Sequence, residues 1–388
     1  MNGKQLSILV VLVVLIGAAG LVVRQRAADS WRSGGQAIGQ KLLPDLAVND
    51  VAEISVTAGT NGLHLVRRDN LWRVKERQDY PASFSEISGL LLKFADLKAV
   101  QSQEVGPSQL GRFELLPAGP QANSGTLVEF KSEAGKVLGS LLLGKKHLSK
   151  ASGGGMEGMG AGGWPDGRYV LTRDGKAAVL ISDPLDNVQP KPEDWLAKDF
   201  LNVDRLRSIA VLYHEGTNSW KLTRASETND WQLAEAGASE KLDESKTAGV
   251  TSPLVSASFT DVLPGNASTQ ISGMTNTTTL ALETFDGFSY AIGIGEKAGD
   301  NYPVKLAVTA QLPAERKASA EEKPEDKTRL DKEFKDRQKT LTDKLAREKA
   351  LEGWIYRLPS YTLDSTLKRR SELLVEAAKE TAAAPVEK

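Results

Sequence analysis

A strand pattern that occurs twice constrains this chain more than any other feature of its sequence. Val51-Ala52-Glu53-Ile54-Ser55-Val56 alternates apolar and polar residues, the period of a half-buried strand. A Gly59–Gly62 turn leads to Leu63-His64-Leu65-Val66-Arg67, and Asp69-Asn70 turns into Leu71-Trp72-Arg73-Val74. Together they predict an antiparallel meander. The order strand, strand, Trp-strand then returns in Ser208-Ile209-Ala210-Val211, Ser219-Trp220-Lys221-Leu222 and Asp230-Trp231-Gln232-Leu233. Ile54 matches Ile209, Leu65 matches Leu222 and Trp72 matches Trp231, at offsets of 155, 157 and 159 residues. A strand pair follows each meander, at Thr126–Phe130 with Val137–Leu143 and at Thr279–Leu282 with Tyr290–Gly295. Four elements matching in order favour a tandem duplication over a chance likeness of two β-rich stretches.

One helix is predicted inside the first copy. Ser83 with Glu86 three residues on has the form of a capping box, and Ile87, Leu90, Leu91, Phe94 and Leu97 recur at helical spacing. The expected fold class is therefore α+β, with two tandem-repeat modules of antiparallel sheet plus helix at residues 42–201 and 202–365. The second module departs at one place. Residues 314–351 lengthen a hairpin that the first module closes at Asp174-Gly175, and they carry twelve basic and ten acidic side chains. Pro324-Glu325-Asp326 suits a helix start, and Leu330, Phe334, Leu341 and Leu345 form a narrow apolar stripe. The reading is a long charged helical insertion, coiled-coil-like, that meets a partner rather than joining either core. A last helix is expected from Leu363 to Ala378, then a disordered tail.

The amino terminus reads differently. Leu6 to Val23 passes eighteen residues without a charge, and a helix of that length would be about 27 Å long, near the hydrocarbon thickness of a bilayer. It predicts a single-pass signal-anchor with residues 1–5 as a cytoplasmic head, 24–41 as a stalk, and the body in the periplasm. A cleaved signal peptide is the alternative, with Ile8–Ile16 as its apolar part and Gly17-Ala18-Ala19 as the cleavage region. The partners expected are the lipid bilayer through Leu6 to Val23 and a protein of the envelope.

Little in the sequence points to catalysis. The 49 basic and 50 acidic residues leave a net charge of −1, so no global basic field recruits nucleic acid. The chain has no cysteine, which removes disulfides, thiolate catalysis and Cys-type zinc sites. His64, His147 and His214 lie too far apart for a local metal-ligand spacing. Gly144-Lys145-Lys146 lacks the earlier glycine and the Ser or Thr of a phosphate loop and reads as a strand-end turn. Gly287-Phe288-Ser289-Tyr290-Ala291 is a broken nucleophile elbow within a hairpin. The Gly153–Gly163 loop lacks the strand-then-helix context of a dinucleotide site. No catalytic, cofactor-binding or metal-binding residue is assigned.

Several short stretches carry a family likeness: Leu42-Leu43-Pro44-Asp45-Leu46, Tyr80-Pro81-Ala82, Phe94-Ala95-Asp96-Leu97-Lys98, Leu141-Leu142-Leu143-Gly144-Lys145-Lys146, Asp166-Gly167-Arg168-Tyr169-Val170 and Asp194-Trp195-Leu196. In these the chain resembles the bacterial domain of unknown function 4340 family, over nearly all of the first module and more weakly the second. The resemblance implies a single-pass envelope protein, in some members encoded near ABC transporters of the gliding-motility auxiliary type. It brings no catalytic residues. The expected function is a non-enzymatic membrane-anchored accessory or scaffold subunit of an envelope complex. The alternatives are a periplasmic solute- or polymer-binding module and, third, an envelope hydrolase.

Overall fold

The computed structural model describes residues 38–149, 164–172, 175–317 and 322–375. The chain divides into two units between Ala197 and Lys198. The first is a nine-stranded antiparallel sheet. Its strands are β1 (Val51–Ala58), β2 (Asn61–Arg68), β3 (Leu71–Val74), β4 (Tyr80–Pro81), β5 (Gln101–Glu104), β6 (Thr126–Ser132), β7 (Val137–Leu148), β8 (Pro165–Leu171) and β9 (Ala177–Ile181). They lie in the order β4-β3-β2-β1-β6-β7-β8-β9-β5. The β2–β3 turn places Asp69 and Asn70 at φ of 51° and 63°. Two successive left-handed residues match the right-handed twist of a tight hairpin, and short Asp and Asn side chains tolerate that conformation.

One helix, α1 (Phe84–Asp96), covers the sheet with Ile87, Leu90, Leu91 and Phe94. Phe94 meets Phe130 of β6 edge-on at 5.0 Å. Four such buried side chains contribute about 1.5–3 kcal/mol each. Only half of the expected capping box forms. The Ser83 hydroxyl accepts the Glu86 N–H at 3.4 Å, but the Ser83 N–H donates to the Trp195 carbonyl at 2.8 Å. Trp195 and Leu196 thereby strap the helix entry, and Leu196 bridges Ala82.

The second unit is an eight-stranded antiparallel sheet. Its strands are β10 (Leu206–Leu212), β11 (Trp220–Thr223), β12 (Gln232–Leu233), β13 (Asp261–Pro264), β14 (Thr278–Thr284), β15 (Phe288–Ile294), β16 (Asn301–Ala310) and β17 (Trp354–Pro359). The order is β12-β11-β10-β14-β15-β16-β17-β13. This is the connectivity of the first sheet without the β4 edge. Register agrees to the residue: Ile54 lies between Leu65 and Phe130, and Ile209 between Leu222 and Leu282. Both copies shift register at the start of the first strand, between Val51 and Glu53 and between Leu206 and Ser208. Trp72 stands opposite Arg67 on β3. Trp231 directly precedes β12, with the Arg224 guanidinium 4.7 Å over its ring.

The expected α+β class is corrected to mostly β. Among the described residues, besides α1, the only α-helices are two short ones, α2 (Glu244–Val250) and α3 (Thr269–Ser272), and the insertion helix α4 (Pro324–Lys349), with six short 3-10 turns. The sheets dominate because nearly every apolar run is short and alternating. The expected transmembrane helix finds no counterpart: among the described residues no helix is long and apolar enough to cross a membrane. Leu6 to Val23 lies outside the described residues, as do the Gly153–Gly163 loop and the tail beyond Val375. The coiled-coil expectation is corrected as well, because α4 meets a strand, β16, more than any other element. The helix expected from Leu363 is replaced, in its described part, by a 3-10 turn at Arg370–Leu373. Tertiary contacts prevail over helical spacing there. Trp220 Nε1 donates to the Lys368 carbonyl at 2.7 Å, Arg370 pairs with Glu240, and Leu373 is fully buried.

Candidate functional site

The insertion enters between β16 and β17, where the first unit joins β8 to β9 by a short turn. Pro near its start and Glu325 and Asp326 in the first turn suit the helix dipole, as do Arg347 and Lys349 in the last. A helix of 26 residues spans about 39 Å.

Its carboxyl half is tied to its own sheet. Glu348, only 5% exposed, accepts from the Tyr290 hydroxyl of β15 at 2.9 Å. Lys344 donates to the Asn202 carbonyl at 2.6 Å, pairs with Glu348 at 3.5 Å and lies 5.3 Å over the Phe288 ring. Just past the helix, Glu352 accepts the Val308 N–H at 2.7 Å. Burial pushes the Glu348 carboxyl above its ordinary range, against the opposing pull of Lys344, Tyr290 and the Asn202 N–H. Burial, with Glu348 beside it, also holds the Tyr290 phenol protonated. The expectation that the insertion stands apart from the core is therefore corrected for this half. A stripe whose last turn carries a buried Glu gave no sign of that docking.

Farther out, the helix leaves a groove of about 210 Å³. Phe285, Leu312, Pro313, Phe334 and Leu341 line it with Asp286, Arg337 and Gln338. Asp286 anchors this end, bonded by both Arg205 and Arg337 at 2.5 Å, and Gln338 Nε2 donates to the Pro313 carbonyl at 2.9 Å. Lys332, Lys335 and Lys339 lie on the face of α4 turned away from Phe334, Arg337, Gln338 and Leu341, all exposed and without an ion pair among the described residues.

The residues weighed for catalysis do not converge. His64 Nδ1 contacts Glu76 at 2.7 Å and His147 Nδ1 contacts Asp166 at 2.6 Å, each pair on its own hairpin. His214 lines a separate hollow with Tyr213 and Arg369. Among the described residues no group of three His, Asp or Glu side chains could hold a metal ion. Gly287 is the β14–β15 turn residue, at φ 85°, and Phe288–Ile294 is strand. The strand-end turn expected at Gly144-Lys145-Lys146 is instead a bulge inside β7, where register shifts between Leu143 and Lys146. Gly144 is required there, since a Cβ would stand 2.2 Å from the Phe113 carbonyl oxygen.

What the fold and groove define is a duplicated, mostly β scaffold with a helical insertion. No protein-family model, no curated protein and no solved structure matches the chain.

Proposed function

We propose that this protein is a non-enzymatic accessory or scaffold subunit of a bacterial envelope complex, of the kind that serves an ABC transporter. The observation that carries the reading is the groove along α4. Its volume is below the roughly 300–1,000 Å³ of small-molecule sites, so it suits one or two apolar side chains of a protein partner. An apolar floor with a polar rim is the anatomy of a protein-docking spot. Asp286, Arg337 and Gln338 at its edge select a partner segment with an apolar anchor and polar flanks. The uncharged Leu6 to Val23 stretch supports contact with the lipid bilayer, and with it an inner-membrane location with the body on the periplasmic side.

The test is co-purification in mild detergent with a Phe334→Ser/Leu341→Ser variant, its melting followed alongside. Both side chains line the groove and are only half-buried, so the variant is expected to stay folded while partner recovery falls. Recovery equal to the unaltered protein overturns the groove as the docking site.

A further inference from the structure

The first unit holds a concavity of about 330 Å³ at the end of its sheet. The β1–β2 turn, the start of β6, the β7 bulge and the loop after β9 converge there. Its charged lining is Lys146, Arg168, Lys191 and Asp186.

Three cations against one carboxylate is an unusual concentration in a chain whose charges otherwise balance. Lys146 and Arg168 are also direct partners across β7 and β8. Like charges opposite one another cost stability unless an anion lies between them. Asp186 supplies part of that anion: it pairs with Lys146 and acts on Arg168, as does Glu114 from outside the cleft. Lys191 is exposed and forms no ion pair among the described residues.

Backbone acceptors hold Arg168 in place. Its Nε donates to the Gly144 carbonyl at 2.8 Å and its Nη1 to the Leu185 carbonyl at 3.3 Å. These bonds fix the guanidinium plane, and its Nη2 has no bonded partner among the described residues. The bulge sets this up, because a bulge re-aims the side chains of a strand and Gly144 alone fits against Phe113. The rest of the lining includes Asn61, Thr126 and Gln189, neutral groups that pair with hydroxyls.

We infer that this cleft binds a small oxyanion carried on a polyhydroxylated body, a sugar acid or a sugar phosphate. The volume falls inside the range of small-molecule sites, unlike the groove in the second unit. Arg168 and Lys191 meet the anionic head, with Lys146 shared between ligand and Asp186. Asn61, Thr126 and Gln189 meet the hydroxyls. This inference is independent of protein docking at α4.

Isothermal titration of the full chain in mild detergent tests it, with glucuronate, glucose 6-phosphate, glucose and sulfate as probes. At least one of the two sugar anions is expected to bind about tenfold or more tighter than glucose and than sulfate, the scale of one charge-assisted hydrogen bond. Which of the two binds tighter identifies the head as carboxylate or phosphate. Lys191→Ala is expected to weaken that binding about tenfold, and Asp186→Asn, which removes the competing carboxylate, to strengthen it. Lys145→Ala, on the same bulge but outside the cleft lining, is expected to change nothing. Because Lys191 is exposed, its replacement tests the site without risk to the fold. Glucose or sulfate binding as well as the sugar anions, no binding below about 10 mM, or an unchanged affinity for Lys191→Ala overturns the proposal.

Discussion

At Glu348 a carboxyl is buried against Tyr290, Lys344 and Asn202, and burial raises its pKa in the folded state. The folded protein then holds that proton more firmly than the unfolded chain. Stability from this group is present below the ordinary glutamate value and is lost as pH rises through the raised one. A Glu348→Gln variant is expected to lose less stability than the unaltered chain as pH rises above the ordinary glutamate value, followed by urea unfolding. Tyr290→Phe removes a hydroxyl from a buried carboxyl and is expected to cost about 1–3 kcal/mol. Glu240 behaves in the opposite sense. The Arg370 side chain and the Gly237 N–H lower its pKa to about 2. Its contribution is present above the ordinary glutamate value and is lost as pH falls through about 2. Glu240→Gln is expected to flatten the acid limb of the melting curve, and an unchanged limb refutes that role.

Among the elements, α1 and α4 bury their faces in different ways. The four buried side chains of α1 lie on its sheet, so its cap matters to the first unit. Ser83→Ala is expected to destabilise that unit by about 1 kcal/mol, read by denaturant unfolding. In α4 the apolar stripe is only half-buried, and its firmest anchors are polar: Lys344, Glu348 and the nearby Glu352. Leu345→Ala is therefore expected to cost about 1 kcal/mol, less than the 2–5 of a fully buried leucine. Replacing residues 314–351 by a short Gly-containing turn is expected to lower the melting point of the second unit. An unchanged melting point shows that the contacts around Tyr290 add nothing to stability.

On the scale of the molecule, two sheets share one strand order and one bulge position. Each named strand finds its ladder partners within its own unit. Separately expressed residues 38–197 and 198–375 are therefore each expected to fold, with dispersed amide spectra. A collapsed, poorly dispersed spectrum from either half refutes that independence. The copies diverge at equivalent points of the core face. Gly139 of β7 leaves room for Leu43 and Leu46, with Leu46 Cδ1 at 3.3 Å from where a Cβ would stand. Leu282, the counterpart of Phe130, is paired with Tyr290, as Phe130 is with Gly139. The second unit thus carries a phenol where the first has a glycine, and α4 supplies its partner.

The local pattern determined much of this protein by itself. Alternation in Val51–Val56 and Ser208–Val211, and the turns at Asp69-Asn70 and Gly287, mark strands and hairpins because side-chain period and backbone conformation are set within a few residues. The Ile87-Leu90-Leu91-Phe94 spacing marked α1 for the same reason. The same logic failed for Leu363–Ala378, where a helical spacing yielded to Trp220, Glu240 and the packing of Leu373. It also failed for Gly144-Lys145-Lys146, because a bulge depends on how many residues the facing strand offers. Of the two candidate sites only the α4 side of the groove, Phe334 and Leu341, was legible as an apolar stripe. The groove joins Phe285 and Leu312 to Phe334 and Leu341, and the cleft joins Asn61 and Thr126 to Arg168 and Lys191. Those residues are tens of positions apart in the chain, and only the pairing of strands into sheets, with α4 laid back on one of them, decides that they meet.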